Sequence, residues 1–185
     1  MARVPYLSID DLTPDKQPIY DRIAETRGSV VNVFRALLNS PDAAEVVARV
    51  GEYVRYGSPL APSIREIAIL STARELNLEY EWAHHEPVAR EVGVSDKVID
   101  SIRSGRAPMG IPAKEGVFAH AAKELVRDGT LSDRTFQAIE HLLGPLQTVD
   151  LIVLVGFYSM LGRIVNALGV ELDEGTRSSL SGNPH

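Results

Sequence analysis

The chain has 185 residues, 44% of them hydrophobic and 24% charged, a composition typical of a globular domain with a sizeable core. Its formal net charge of −6, without a cluster of Lys and Arg, argues against nucleic acid or an anionic membrane as the main partner. Cysteine is absent, which excludes disulfides, thiolate metal sites and any thiol-based redox cycle carried by this chain alone.

Two features of the sequence bear on localisation. The N-terminus, MARVPYLSIDDLTP, lacks the apolar core of a signal peptide. The longest apolar run, 151–162, is interrupted by Gly156 and Ser159 and is too short to span a bilayer. We therefore predict a cytoplasmic protein that does not enter a membrane.

Helix signals follow one another along the chain. Thr13-Pro14 and Ser40-Pro41 each place a capping residue before a proline, which is favoured at the first helical position. Gly57 and Gly93 end the helices before them, and Asn77 marks a break. The predicted helices lie near residues 41–56, 63–76, 79–92, 94–103, 113–127, 133–143 and 147–168. No segment alternates as a strand would, so the sequence predicts an all-α fold.

A short internal similarity suggests a duplicated helical unit. The segment EYVRYG at 52–57 matches ELVRDG at 124–129, and a turn and two predicted helices follow each copy. We predict a single domain made of an N-terminal extension (about 1–40) and two helical units (41–104 and 113–170).

The segment EYEWAHHEPVARE (79–91) concentrates polar residues with potential chemistry. On a helical wheel Glu81 and His85 lie four residues apart on the face that should be buried. The apolar residues of that face are Trp82, Val88, Ala89 and Val92. The opposite, solvent-facing side is predicted to hold Glu79, Glu86, Arg90 and Glu91. His84 falls at the border. A carboxylate and an imidazole enclosed together must pair, and such environments favour acid–base chemistry.

The preceding helix supplies a second carboxylate. Glu66 lies on its apolar face with Ile69 and Leu70, and a break at Asn77 would fold the two helices together. Structural roles also fit these residues. Ser63-Ile64-Arg65-Glu66 matches a capping box, Glu81 lies in a first helical turn, and His85 could be a core histidine. The pattern leaves both interpretations open.

A metal site is a weaker possibility. Glu81, His84 and His85 are potential ligands, but successive helical residues point about 100° apart, and no HExxH motif exists. His120 and His141 are predicted to be exposed. We predict no metal and no cofactor.

A specific family pattern covers residues 65–102, which read REIAILSTARELNLEYEWAHHEPVAREVGVSDKVIDSI. This run resembles the carboxymuconolactone decarboxylase / alkylhydroperoxidase D-like (AhpD-like) superfamily, as do VVNVFRALLNSP (30–41) and LVGFYSMLGRIVNALGV (154–170). The peroxidase branch carries a Glu followed by C-x-x-C-x-x-x-H. Its Glu and His align with Glu66 and His85, and its two cysteines fall on Leu78 and Glu81.

The resemblance implies an AhpD-like helical bundle that forms trimers or hexamers, with the site between helices near a subunit interface. It implies catalytic roles for Glu66, Glu81 and His85. Possible site neighbours are Leu78, Tyr80, Trp82 and His84.

The leading hypothesis is a lyase of the decarboxylase type acting on a small carboxylated or lactone substrate. His85 would move a proton to or from a substrate carbon, Glu81 would orient the imidazole, and Glu66 would complete the relay. One alternative is a non-catalytic, ligand-binding relative with a structural Glu/His network. Another is a peroxidase-like antioxidant protein, which the absence of cysteine disfavours. Three arginines are unranked candidates for binding an anionic substrate: Arg35, Arg65 and Arg74.

Overall fold

The computed structural model describes residues 1–105 and 112–180, and these contain helices and turns but no strand. A 3₁₀ turn at Ile9–Asp11 precedes the helices, and a π-helical turn, Tyr53–Gly57, continues α3. The helices are α1 Gln17–Arg27, α2 Asn32–Leu37, α3 Pro41–Glu52, α4 Pro62–Glu75, α5 Glu79–Glu91, α6 Asp96–Ser104, α7 Ala113–Asp128 and α8 Asp133–Leu168. The predicted all-α class is confirmed.

Helix boundaries agree with most of the sequence signals. Pro41 begins α3, and Gly93 follows α5 in the left-handed conformation. The prediction at Thr13-Pro14 is wrong: α1 begins at Gln17. The proline in the first turn of α1 is Pro18, and not Pro14 as the sequence predicted.

The long last helix contains the break that the sequence predicted between 143 and 147. Gly144 has the non-helical dihedral angles φ 73° and ψ 169°, and Pro145 follows it. Because proline lacks an N–H and glycine tolerates positive φ, this pair interrupts the hydrogen-bond ladder. Helix α8 also contains an 18-residue apolar window that is long and apolar enough to cross a membrane, and 44% of this window is buried in the structure. The core helix of a soluble protein gives the same pattern.

The chain divides into two compact units. The first comprises Met1–Gly57 with Arg163–Gly175, and the second comprises Ser58–Gly162 with the C-terminal residues from Thr176. In the first unit α1 packs against α3, where Arg22 and Glu45 form an ion pair of 2.6 Å. The proposed duplication and the helical units 41–104 and 113–170 stay predictions.

Helix α4 is the centre of the second unit and packs against α5, α6 and α7. Because neighbours cover it on several sides, every residue of the segment 66–73 is buried. A helix enclosed in this way shows no single apolar stripe. Polar residues in this segment must therefore find partners inside the protein, and Ser71 and Thr72 donate to backbone carbonyls one turn earlier.

The turn between α4 and α5 sets the position of the candidate site. Asn77 adopts the left-handed conformation with φ 51°, which asparagine tolerates better than most residues. Its N–H donates to the carbonyl of Arg74, and the N–H of Leu78 donates to the carbonyl of Ala73. These two bonds form a Schellman motif, which ends α4 and starts α5 within three residues.

Candidate active site

The three side chains predicted from the sequence lie together between α4 and α5. Nδ1 of His85 lies 2.7 Å from Oε2 of Glu66, and its Nε2 lies 4.0 Å from Oε2 of Glu81. Their exposed fractions are 2% for Glu66, 3% for Glu81 and 4% for His85. A carboxylate only accepts hydrogen bonds, so whenever Glu66 is ionised the N–H at Nδ1 of His85 is the donor of this bond.

The capping interpretation of Glu66 is wrong. Helix α4 starts one residue earlier than Ser63, with Pro62 at its first position and Ala61 as its N-cap, and no side chain caps it. Glu66 consequently lies within the helix, and its carboxylate is directed to His85 across the α4–α5 contact.

The expected orientation of the imidazole also needs correction. Glu81 was expected to orient the ring, but its 4.0 Å separation from Nε2 exceeds hydrogen-bond length. Glu66 makes the short contact instead. The reason is geometric: helical spacing places Glu81 and His85 side by side on one surface, whereas a residue on the facing helix can meet the ring edge-on.

Tyr158 is a site neighbour that sequence reasoning missed. Its ring, on α8, packs edge-on against the His85 ring with centroids 5.0 Å apart, and only 2% of the residue is exposed. The available signal was a tyrosine within the otherwise apolar segment LIVLVGFYSM. A polar aromatic residue in a buried helix usually has a partner for its hydroxyl.

The four possible site neighbours occupy different positions. Leu78 is 1% exposed and lies over Gly162 of α8, where an added Cβ atom would overlap the leucine side chain. Tyr80 is buried and its ring lies 4.6 Å from the ring of His84, which is half-buried. Trp82 is fully buried, but its indole N–H is directed to Glu86.

Glu86 was predicted to face solvent, and that prediction is wrong. The residue is 6% exposed. Trp82 Nε1 donates to it at 2.9 Å and Arg90 Nη2 at 2.7 Å, and it also accepts bonds from Arg103 and Ser179. Helix α6 and the C-terminal residues cover this side of α5, which a wheel of one helix cannot reveal.

The electrostatics of Glu86 follow from these contacts. Burial opposes its ionisation, but the bonds from Ser179, Arg90 and Trp82 and the charge of Arg103 outweigh that effect and lower the pKa of Glu86. Glu86 is therefore a carboxylate held in its charged form, and it has no donor capacity for acid catalysis.

A second polar cluster lies on α7 and the start of α8. His120 Nε2 is 3.2 Å from Glu124, which accepts bonds from the backbone N–H and the hydroxyl of Ser132. Burial opposes ionisation of Glu124, but the bonds from Ser132 and Thr135 prevail and lower its pKa. Glu124 thus supports the start of α8. His120 and His141 are exposed, as predicted.

A cleft of about 450 Å³ adjoins that cluster and is lined by Gly116, Val117, His120 and Arg134, among others. Glu66, Glu81 and His85 do not line it. Over residues 1–105 and 112–180, no three His, Asp or Glu side chains are grouped as metal ligands would be. His84, the third ligand considered for a metal, lies against Tyr80 with the two ring planes tilted by 42°.

One protein family matches the part of the chain that contains the candidate site. Residues 41–124 match the Carboxymuconolactone decarboxylase family, and this range contains Glu66, Glu81 and His85. This segment of the chain is therefore similar to that family. No curated protein sequence matches it.

Solved structures share the AhpD-like fold over nearly the whole chain. A peroxidase-related protein with an alkylhydroperoxidase AhpD core, from Ralstonia eutropha JMP134, is 18% identical with a TM-score of 0.78, covering 94% of this chain and 93% of its own. A peroxidase-related protein from Silicibacter sp. TM1040 is 16% identical with a TM-score of 0.74, covering 98% and 95%. The debrominase Bmp8 is 13% identical with a TM-score of 0.74, covering 92% of each chain. At these identities the likeness establishes the fold alone.

Proposed function

We propose that this AhpD-like chain is a cofactor-independent lyase, in which His85 transfers a proton to or from a carbon of a small carboxylated or lactone substrate. The observation that carries the proposal is the 2.7 Å contact of Nδ1 with Glu66, because it leaves Nε2 available for substrate. The family match over residues 41–124 supports the same class of chemistry.

The chemical step balances with these groups alone. In a decarboxylation the bond from carbon to the carboxylate breaks, CO₂ leaves, and the electron pair is delocalised into a conjugated carbonyl of the substrate. The carbon then takes a proton from Nε2 of a doubly protonated His85. The Nδ1–H group of the ring stays hydrogen-bonded to Glu66 throughout. This bond stabilises the imidazolium before the proton is transferred. A positioned general acid contributes roughly 10²–10⁴ in rate.

Glu81 takes a different role in this proposal from Glu66. Its carboxylate faces Nε2 across 4.0 Å, the side of the ring on which the proton is exchanged. From there it can accept a proton from solvent and pass it to Nε2 through a water molecule after each turnover. Glu66 orients the ring and Glu81 restores its charge.

The test measures turnover of γ-carboxymuconolactone, which is monitored through the loss of ultraviolet absorbance and the release of CO₂. His85→Gln should reduce kcat by about 10²–10⁴ while circular dichroism remains that of the wild type. His141→Gln is the matched control, because His141 is exposed on α8, and it should leave kcat unchanged. Full activity of His85→Gln would refute the assigned role.

A structural network is the second candidate, and the burial of Glu66, Glu81 and His85 favours it. In that case His85→Gln would lower the free energy of unfolding by about 1–3 kcal/mol, because a buried carboxylate would lose its donor. Wild-type protein would show no turnover. Measuring stability and kcat on the same variant separates the two candidates.

Peroxidase chemistry is the least favoured function. Two structural neighbours are described as peroxidase-related, but this chain has no cysteine at Leu78, Glu81 or any other position. Reduction of an organic hydroperoxide with added dithiol should therefore proceed no faster than without the protein.

A further inference from the structure

Arg65, the neighbour of Glu66 on α4, has an unusual environment for a guanidinium. Its side chain is only 14% exposed, and its Nε lies 3.7 Å from Oε1 of Glu66, beyond hydrogen-bond distance. Within residues 1–105 and 112–180, none of its five N–H groups donates a hydrogen bond. Because the ion pair with Glu66 is too long for a hydrogen bond, the guanidinium keeps its N–H groups available for an anionic ligand.

The two other candidate arginines are already engaged. Arg74, nine residues further along α4, donates from Nε to the carbonyl oxygen of Arg103 at 2.7 Å. Arg35, in the first unit, donates to the carbonyls of Tyr6 and Leu7 at 3.3 and 3.4 Å. Their guanidinium groups hold the backbone, whereas that of Arg65 retains its donors.

Glu66 connects Arg65 to the site. Its Oε2 is held by His85 at 2.7 Å, and its Oε1 faces Arg65 at 3.7 Å. Because the bond to His85 fixes the carboxylate plane, Glu66 cannot also form the paired, parallel bonds that a guanidinium makes best. A second carboxylate, brought by a ligand, can form them.

We propose that Arg65 binds a carboxylate of the substrate and places that substrate beside His85, an inference that rests on the proposed function for its assignment to a reaction. The ligand class is a small organic carboxylate, recognised by two parallel N–H···O bonds. The lower burial of Arg65, compared with Glu66 and His85, marks the side from which the ligand enters.

The experiment measures binding without turnover. Isothermal calorimetry compares γ-carboxy-γ-butyrolactone with its neutral methyl ester on the full-length chain. The wild type should bind the acid more tightly than the ester. Arg65→Gln should weaken binding of the acid ~10- to 100-fold and leave the ester unaffected, because only charge-assisted bonds are lost. The affinity of Arg65→Lys for the acid should lie between those of the wild type and Arg65→Gln, because lysine retains the charge but lacks the planar, forked donor group.

Arg74→Gln is the matched control and should bind the acid like the wild type. Circular dichroism checks that each variant is folded. If Arg65→Gln does not fold, Arg65→Met replaces it, because methionine keeps the apolar stem of the side chain. The inference is overturned if the wild type does not bind the acid saturably, if it binds acid and ester equally, or if the Arg65 variants bind normally. Loss of binding in Arg65→Gln without turnover in the wild type would instead refute only the proposed function.

Discussion

The Glu86 carboxylate joins three parts of the second unit. It accepts bonds from Trp82 and Arg90 on its own helix, from Arg103 on α6, and from Ser179 near the C-terminus. Arg103 also lies over the Trp82 ring, 5.6 Å from its centroid. A charge shared in this way stabilises the fold only while Glu86 is ionised.

We expect Glu86→Gln to lower the free energy of unfolding by about 1–3 kcal/mol near neutral pH, because bonds to a charged acceptor are weakened. The folded-state pKa of Glu86 is lowered, so its contribution is present above the ordinary glutamate pKa of about 4.3 and disappears as the pH falls through the lower folded value. Urea unfolding over a series of pH values checks this. Glu91→Gln, at an exposed position on the same helix, should show a much smaller difference. A gap between wild type and Glu86→Gln that grows on acidification would contradict the expectation.

At the scale of single elements, α5 depends on close approach to α8. Leu78, the N-cap residue of α5, lies against Gly162, so the start of this helix packs on backbone and not on a side chain. The same helix carries Glu81 and His85 one and two turns later. A change at Gly162 should therefore reach the site through the position of α5.

Gly162→Ala should destabilise the protein by about 1–3 kcal/mol, because the new Cβ would lie 2.7 Å from Leu78 Cδ2 and 2.9 Å from its Cγ. Leu78→Ala alone should cost about 2–5 kcal/mol by leaving a cavity. The double variant should be more stable than the sum of the two losses predicts, since the alanine methyl group at 162 enters the space that leucine vacates. Thermal and urea unfolding of the four proteins measures this coupling. Strict additivity of the two losses would contradict the predicted coupling.

At the scale of the whole molecule, α8 leaves an apolar stripe uncovered. After the break at Gly144 the exposed members are Leu146, Val149, Val153 and Met160, at spacings of three, four and seven residues. Side chains at these spacings share one helical face. Gly156 lies on the same face, and a Cβ there would meet nothing within 4 Å. Exposed stripes of this kind usually mark an interface.

We predict that a second copy of the chain covers this stripe and that the protein is a homo-oligomer. Of the trimers or hexamers that the family resemblance implies, only the hexamer can contain a twofold contact of this kind. In an antiparallel pair Val149 faces Val153 of the other copy, and Leu146 faces the open space at Gly156. The stripe itself carries no charged residue, so two chains that each have a net charge of −6 can meet there. The contact is self-complementary, as a twofold interface requires.

Val149→Glu combined with Val153→Glu should shift the protein towards smaller species in multi-angle light scattering, because buried unpaired charges oppose the contact. Gln137→Glu adds a negative charge at an exposed position before the break in α8 and should leave the molar mass unchanged. A monomeric wild type, or a double variant with wild-type mass, would argue against this interface.

The sequence by itself determined the features that depend on one residue or one helix. The lack of cysteine excludes thiol chemistry whatever the fold. Helical periodicity brought Glu81 and His85 onto one face, and Asn77, Gly93 and the Gly144-Pro145 region marked real helix ends, because turn chemistry is local.

Only the tertiary structure decided which groups pair. It assigned Nδ1 of His85 to Glu66, buried Glu86 beneath Arg103 and Ser179, added Tyr158 to the site, and distinguished Arg65 from Arg74. These contacts join residues on different elements. The distance between such residues depends on how the elements pack, and the periodicity of a single helix does not reveal it.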